Sequence, residues 1–276
     1  MTLAIIGLGL MGGSLALSLK KESYITKIIG YDHNEQHTTQ AMELELVDEI
    51  GSFTAVKKCD VIILAIPVDG LIATLHELTE VEETTTIIDL GSTKEKIVNS
   101  IPTKIRKNFV AAHPMTGTEN FGPKAAIEGL YEDKVVVLCN LEDSGRHQSE
   151  VAKKLFASLK MRQTFMKAKE HDRHAAFISH MPHAISYSIA NTVMKQENKH
   201  NILALAAGGY RSMSRLAKSS PYMWEDIFRQ NKTNLLEAIT IFEEELSQLK
   251  NAIESDDWER VHQEMLDANK LHEILD

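Results

Sequence analysis

The stretch "IIGLGLMGGS", residues 5–14, constrains this chain more than any other. It closes an apolar run, "TLAIIG" (2–7), with the spacing Gly7-x-Gly9-x-x-Gly12 and then continues as helix-compatible sequence. A second apolar run, "KIIGYD" (27–32), ends in Asp32, twenty residues beyond Gly12. A glycine triple alone is weak, but strand, turn, helix, strand and acid in this order are the full dinucleotide fingerprint. Gly7 permits the tight turn, Gly9 lets backbone approach a pyrophosphate, and Gly12 allows close packing of helix on strand. Leu10 and Met11 then open the helix whose N-terminal dipole faces the phosphates. Asp32 would accept hydrogen bonds from the ribose hydroxyls. A 2′-phosphate would meet its charge, and no arginine follows in "HNEQH". The expected cofactor is NAD, not NADP. The competing reading is a glycine turn that binds nothing.

The next runs continue the theme. "DVIILAI" (60–66), "TTIIDL" (85–90), "NFVAAH" (108–113), "KVVVLC" (134–139) and "RQTFMK" (162–167) read as strands, and "SEVAKKLFASLK" (149–160) as a helix. Continuous apolar runs, instead of strict alternation, suit a parallel sheet covered on both faces. After about residue 168 strand signals stop. Leu235, Ile239, Phe242, Leu246 and Leu249 follow helical spacing, Ser220 precedes Pro221 as a cap before a helix, and "ESDDW" near Ser255 precedes a last helix. The expected fold is α/β: a Rossmann-type doubly wound sheet over 1–167, the NAD-binding domain, and an all-helical domain over 168–276 for substrate binding and dimerisation.

With 276 residues, 43% hydrophobic and 25% charged, the chain can build two ordinary cores. A formal net charge of −9 argues against nucleic acid or an acidic membrane surface as partner. Two cysteines, Cys59 and Cys139, sit in apolar stretches and read as buried thiols of a reducing compartment. With strand-like sequence from Thr2, no signal peptide is expected, and the apolar runs are too short to span a bilayer. The expected location is cytoplasmic.

Ligands of open α/β sheets sit beyond the carboxyl ends of the strands. There "AIPVDG" brings Pro67, expected to line the nicotinamide side of the cofactor, "DLGSTK" brings Ser92 and "AAHPMTGTE" brings His113. A hydride leaving an alcohol carbon needs the hydroxyl proton removed in concert, which neutral imidazole does near pH 7. His113 is the candidate base. Ser92 either hydrogen-bonds the same hydroxyl, orients the imidazole, or simply caps the next helix. "HDRHAAFISHMPHA" holds His171, His174, His180 and His183. At ~100° per residue, His171 and His174 point one way and His180 and His183 the other. Pro182 should disturb the helix near Ile178. Both pairs are spaced i, i+3, without an evident acidic or cysteine partner, so no metal is expected. One pair should meet a polar substrate. Arg211, Arg215 and Lys218 follow Gly208-Gly209, a pair that marks close approach or a special turn, and arginine pairs with carboxylate through a bidentate fork. A small anionic substrate is expected; solvated cations are the alternative.

Together "GLGLMGGSLA", "DLGSTK", "HPMTGTE", "ISHMPHAISYSIA" and "GGYRSMSRLAKSSPYMWEDIF" resemble the prephenate/arogenate dehydrogenase family, in family order over nearly the whole chain. The resemblance implies NAD-dependent oxidative decarboxylation of prephenate to 4-hydroxyphenylpyruvate in tyrosine biosynthesis. It makes His113 the catalytic histidine and Ser92 its serine partner. It makes His183 a substrate-site residue, Arg215 the ligand of a substrate carboxylate, and Thr118 and Glu119 the "GTE" of the same site. It also implies a homodimer formed through the helical domain. "RSMS" before Arg215 departs from the acidic residue and threonine of many relatives and adds Arg211. Alternatives are an arogenate dehydrogenase, a β-hydroxyacid dehydrogenase, which would rely on a lysine of the helical domain, and a catalytically silent NAD-sensing module.

Overall fold

Residues 1–275 are described by a computed structural model. Seven strands fall on the seven apolar runs: β1 (Thr2–Ile6), β2 (Lys27–Tyr31), β4 (Val61–Leu64), β5 (Thr86–Asp89), β6 (Phe109–Pro114), β7 (Val135–Cys139) and β8 (Arg162–Met166). The sequence reading misses only β3 (Glu49–Ile50), whose two residues carry no periodic signal. The strands form one sheet in the order β3-β2-β1-β4-β5-β6-β7-β8. Alternate residues face opposite sides, as the pleat requires. Leu3 and Ile5 enter one core, with Leu15, Ile28 and Val110; Ala4 and Ile6 enter the other, with Leu71, Ile87 and Phe109.

The sheet departs from the parallel expectation at one place: β7 runs antiparallel to β6. A parallel step needs a crossover element, usually a helix. The β6–β7 connection holds only a short turn of 3-10 helix, Pro123–Ala125, so the chain reverses. The next connection carries a full helix, and β8 pairs parallel to β7. The helices of this half are α1 (Leu10–Leu19), α2 (Glu35–Glu43), α3 (Phe53–Val56), α4 (Val68–Glu77), α5 (Glu95–Asn99) and α6 (Arg146–Ser158).

From residue 168 the described chain is helical: α7 (Ala168–Ala175), α8 (Met181–Met194), α9 (Lys199–Ala204), α10 (Gly208–Ser214), α11 (Pro221–Gln230), α12 (Lys232–Glu254), α13 (Trp258–Asn269) and α14 (His272–Leu275). Ser220 is the N-cap of α11 with Pro221 in its first turn, and Asp257 caps α13 by accepting the Arg260 N–H at 3.0 Å. Strand signals end at 167, but packing divides the chain later, into units 1–231 and 232–276. The reason lies at two helix starts. The α5 N-terminus donates Lys94 N–H and Glu95 N–H to Asp172 of α7, at 2.7 and 2.8 Å. The α4 N-terminus donates Val68 N–H to Asp226 of α11, at 2.9 Å. Neither helix has a side-chain cap from its own first residue, so α7 and α11 supply what the sheet unit lacks. In the second unit, α12 and α13 pack as a helical hairpin turned at Asp256, whose φ is +56°.

Candidate active site

The glycine turn connects β1 to α1. Gly7 has φ +95°, and a Cβ there would sit 2.4 Å from the Ala65 carbonyl oxygen. A Cβ on Gly12 would stand 2.0 Å from the Gly7 carbonyl oxygen, so helix and strand touch backbone to backbone. Gly9 differs: its φ is −76°, and the nearest atom to an added Cβ is Gly122 N at 4.0 Å. Neither conformation nor packing demands glycine at that position. What Gly9 keeps clear is the space outside the N-terminus of α1, which has no side-chain cap. Uncapped N–H groups beside a cleared surface fit a phosphate group. Leu10 is buried and Met11 half-buried in that first turn. Asp32 accepts Leu8 N–H and Asn34 N–H, both at 2.9 Å, and lies 3.3 Å from His37 Nδ1. It therefore braces the turn while lone pairs remain for a sugar.

Pro67, Ser92 and His113 stand at or just beyond the carboxyl ends of β4, β5 and β6. Pro67 is exposed and precedes α4. Ser92 is half-buried, and it does not cap α5, whose N–H groups belong to Asp172. The capping alternative for Ser92 is thereby removed. His113 is 8% exposed, and its Nδ1 lies 2.7 Å from His171 Nε2. Burial, then the neighbouring His171, Lys94 and His180, hold His113 well below the ordinary histidine range, so it is neutral at pH 7.

The four histidines separate differently from the helical-wheel expectation. His171 and His180 are buried at 2% and 1% exposure, His183 is half-buried and His174 is exposed. A π turn, Ala176–His180, lies between α7 and α8, where Met181 N–H bonds back to Ala176 O, and it shifts the phase of His180 and His183 relative to His171 and His174. Pro182 cannot donate to Ile178, and the wide turn before it changes the phase of everything after. His183 stacks on Trp224 of α11 at 3.5 Å between centroids, and its Nδ1 donates to Ser179 O at 2.8 Å. His180 Nδ1 meets Asn231 Nδ2 at 3.0 Å. Burial lowers both rings, His180 to about 4. Among the described residues no group of three or more potential metal ligands occurs.

Arg215 lies outside the buried cluster, half exposed, with Nη1 3.5 Å from Glu119 Oε2. A contact this long and wet holds Arg215 weakly. Thr118, half-buried, accepts Asn120 N–H at 3.2 Å. Arg211 is exposed, and its Nε donates to Ala206 O at 3.2 Å. Gly208 and Gly209 start α10 with nothing within 4 Å of an added Cβ, so the expected close approach is not what they provide.

Sequence reasoning passed over the polar groups behind His113. Asp172 is the acidic partner it did not find, because it adjoins His171 instead of standing one helical turn away; its Oδ1 is 2.8 Å from His171 Nδ1. Lys94 is fully buried, paired with Asp89, and donates to Ala112 O at 2.8 Å. Asp89 in turn accepts Ala112 N–H at 3.1 Å, so this pair grips both polar groups of the residue before His113. Burial pushes the Asp89 carboxyl up against the pull of Lys94. "DLGSTK" held the signal for that pair. Asn231 and Trp224 carried none.

A family model described as "Prephenate dehydrogenase, nucleotide-binding domain" matches residues 15–164, and one described as "Prephenate dehydrogenase, dimerization domain" matches residues 167–267. The prephenate dehydrogenase of Bacillus subtilis (strain 168) is 33% identical over 267 residues, 94% of this chain and 72% of that protein. The cyclohexadienyl dehydrogenase of Zymomonas mobilis is 29% identical over 279 residues, 99% of this chain and 95% of that protein. The crystal structure of prephenate dehydrogenase from A. aeolicus, in complex with hydroxyphenyl propionate and NAD+, superposes with a TM-score of 0.89 at 29% identity, covering 100% of this chain and 98% of that one.

Proposed function

Since the chain belongs to the prephenate dehydrogenase family, we propose that it oxidises and decarboxylates prephenate to 4-hydroxyphenylpyruvate with NAD, a step of tyrosine biosynthesis. It is an oxidoreductase acting on a cyclohexadienyl acid; the choice of prephenate over arogenate is the finer part of this reading. The observation that carries it is His113, neutral at the carboxyl end of β6 with one ring nitrogen held by His171.

The start of α1 would hold the pyrophosphate of NAD and Asp32 its ribose, and the cofactor would supply the hydride acceptor. His113 takes the ring hydroxyl's proton while the hydride leaves the same carbon. The carbon–carboxylate bond then breaks, its electron pair completes the aromatic ring, and the proton returns to the phenolic oxygen. Arg215 exchanges its long contact with Glu119 for a substrate carboxylate. Ser92 offers a hydroxyl beside the reacting oxygen, and Thr118 and His183 line the same pocket.

Purified protein, assayed for NADH or NADPH formation with prephenate and with arogenate, tests the reading. Turnover of prephenate with NAD is expected. Turnover of arogenate alone moves the substrate to its amino analogue; no reduction of either cofactor with either compound overturns the proposal. We further propose a homodimer built through the 232–276 unit, where Leu246, Ile253, Trp258 and Met265 are each about half exposed. Sedimentation at micromolar concentration is expected to report two chains; a monomer would refute it. Buried thiols at Cys59 and Cys139 support a cytoplasmic location.

A further inference from the structure

We propose that Asp172 and His171 are positioning residues for the base, fixing His113 in the tautomer whose Nε2 carries the lone pair and stabilising the charge that arrives there. This rests on the reading of His113 as proton acceptor.

The argument is a count of hydrogens. Three donors converge on the Asp172 carboxylate: Lys94 N–H at 2.7 Å, Glu95 N–H at 2.8 Å and His171 Nδ1 at 2.8 Å. An ionised carboxylate only accepts, and it satisfies all three. His171 Nδ1 therefore bears a hydrogen. In the proposed arrangement His171 carries that single N–H, which leaves its Nε2 as an acceptor. His113 Nδ1, 2.7 Å away, must then be the donor. With its single hydrogen committed to Nδ1, neutral His113 presents a lone pair at Nε2, the nitrogen without a protein partner among the described residues.

The frame is stiff. Asp172 caps α5 with both oxygens, and Asn231 Nδ2 donates to its main-chain oxygen at 2.6 Å. His171, Asp172 and Asn231 are all buried, so the interactions are little screened by water. Burial, then His171, the Lys94 ammonium and His180, oppose a cation at His113. The Asp172 charge, relayed through the His171 hydrogen bond, opposes them. In the reaction the substrate O–H bond breaks, its electron pair stays on oxygen, and the proton forms the new N–H bond at His113 Nε2. The proton is not passed on to Asp172, which steadies the imidazolium until the proton returns to the phenolic oxygen.

Nitrogen-15 histidine NMR of the full-length protein tests the tautomer without substrate, so it judges this proposal even if prephenate is not turned over. The expected spectrum has His113 protonated on Nδ1 and bare on Nε2, a preference lost in His171→Leu. Asp172→Asn should lower kcat by about 10²–10⁴-fold with KM for prephenate near wild type. Asp172 also caps α5, so a folding defect there is separated by the His171 pair, which leaves the cap intact. His171→Gln, whose amide oxygen can accept from His113, should retain clearly more kcat than His171→Leu. A wild-type His113 protonated on Nε2, an unchanged tautomer in His171→Leu, or equal kcat in wild type and both His171 variants overturns the proposal.

Discussion

The two halves of the site are built on opposite plans. The nucleotide side is backbone: a turn of glycines, uncapped N–H groups and one carboxylate, Asp32, within a stretch from Gly7 to Asp32. The substrate side is side chains at long range. Its hydrogen bonds join residues 58, 77 and 78 positions apart, from the end of β6 and the start of α5 to α7. A backbone cradle is specified by local conformation. A buried side-chain network is specified only when several segments have already met. The first kind tolerates change in what surrounds it; the second fails when any one member is lost, because its partners are left buried and unpaired.

Four perturbations sharpen that contrast, in order of expected size. His113→Asn removes the base, and kcat should fall about 10²–10⁴-fold with little change in KM. A rise in KM alone would place His113 in binding instead. Arg215→Gln removes a charge-assisted grip worth ~1.5–3 kcal/mol, so KM should rise roughly ten- to over a hundred-fold, more than kcat falls. A loss confined to kcat would reverse the two roles. Third, acid should weaken the histidine side. His180 lies at about 4 against an ordinary 6.5, so between those values the unfolded chain binds a proton the native chain refuses. Stability is complete above pH 6.5 and is lost as pH falls towards 4, by roughly 3 kcal/mol from this residue. Urea titrations at pH 7.5 and 4.5 measure the difference, and His180→Leu should shrink it. Fourth, Gly12→Ala collides with backbone oxygen and should cost about 1–3 kcal/mol or more, whereas Gly9→Ala meets no protein atom. Equal melting temperatures but weaker NAD binding in Gly9→Ala would be the signature of a cleared ligand surface; unchanged NAD binding would deny it that role.

The same contrast explains what could be read beforehand. Six of the strands were legible because runs buried on both faces are mostly apolar, β8 was legible although it is largely exposed, and Gly7, Gly9, Gly12 and Asp32 were legible because the turn's chemistry is contiguous. The antiparallel β7 was not, since the missing crossover helix is an absence spread over the 115–134 connection. The histidines were counted correctly and phased wrongly, because a π turn breaks the ~100° rule on which a helical wheel depends. Asp172 was overlooked although it stands beside His171: adjacency in a helix points two side chains apart, and only the reach of an imidazole to its neighbour's carboxylate closes the gap.

The borrowed caps on α4 and α5 bear on how this enzyme could be cut and recombined. Exchanging the helical part between two relatives at residue 167 would separate each helix start from the carboxylate that completes it. The chimera would inherit uncapped N–H groups at Val68, Lys94 and Glu95 unless the incoming segment carried acids at the positions of Asp172 and Asp226. A junction after Asn231 carries both acids along with the sheet.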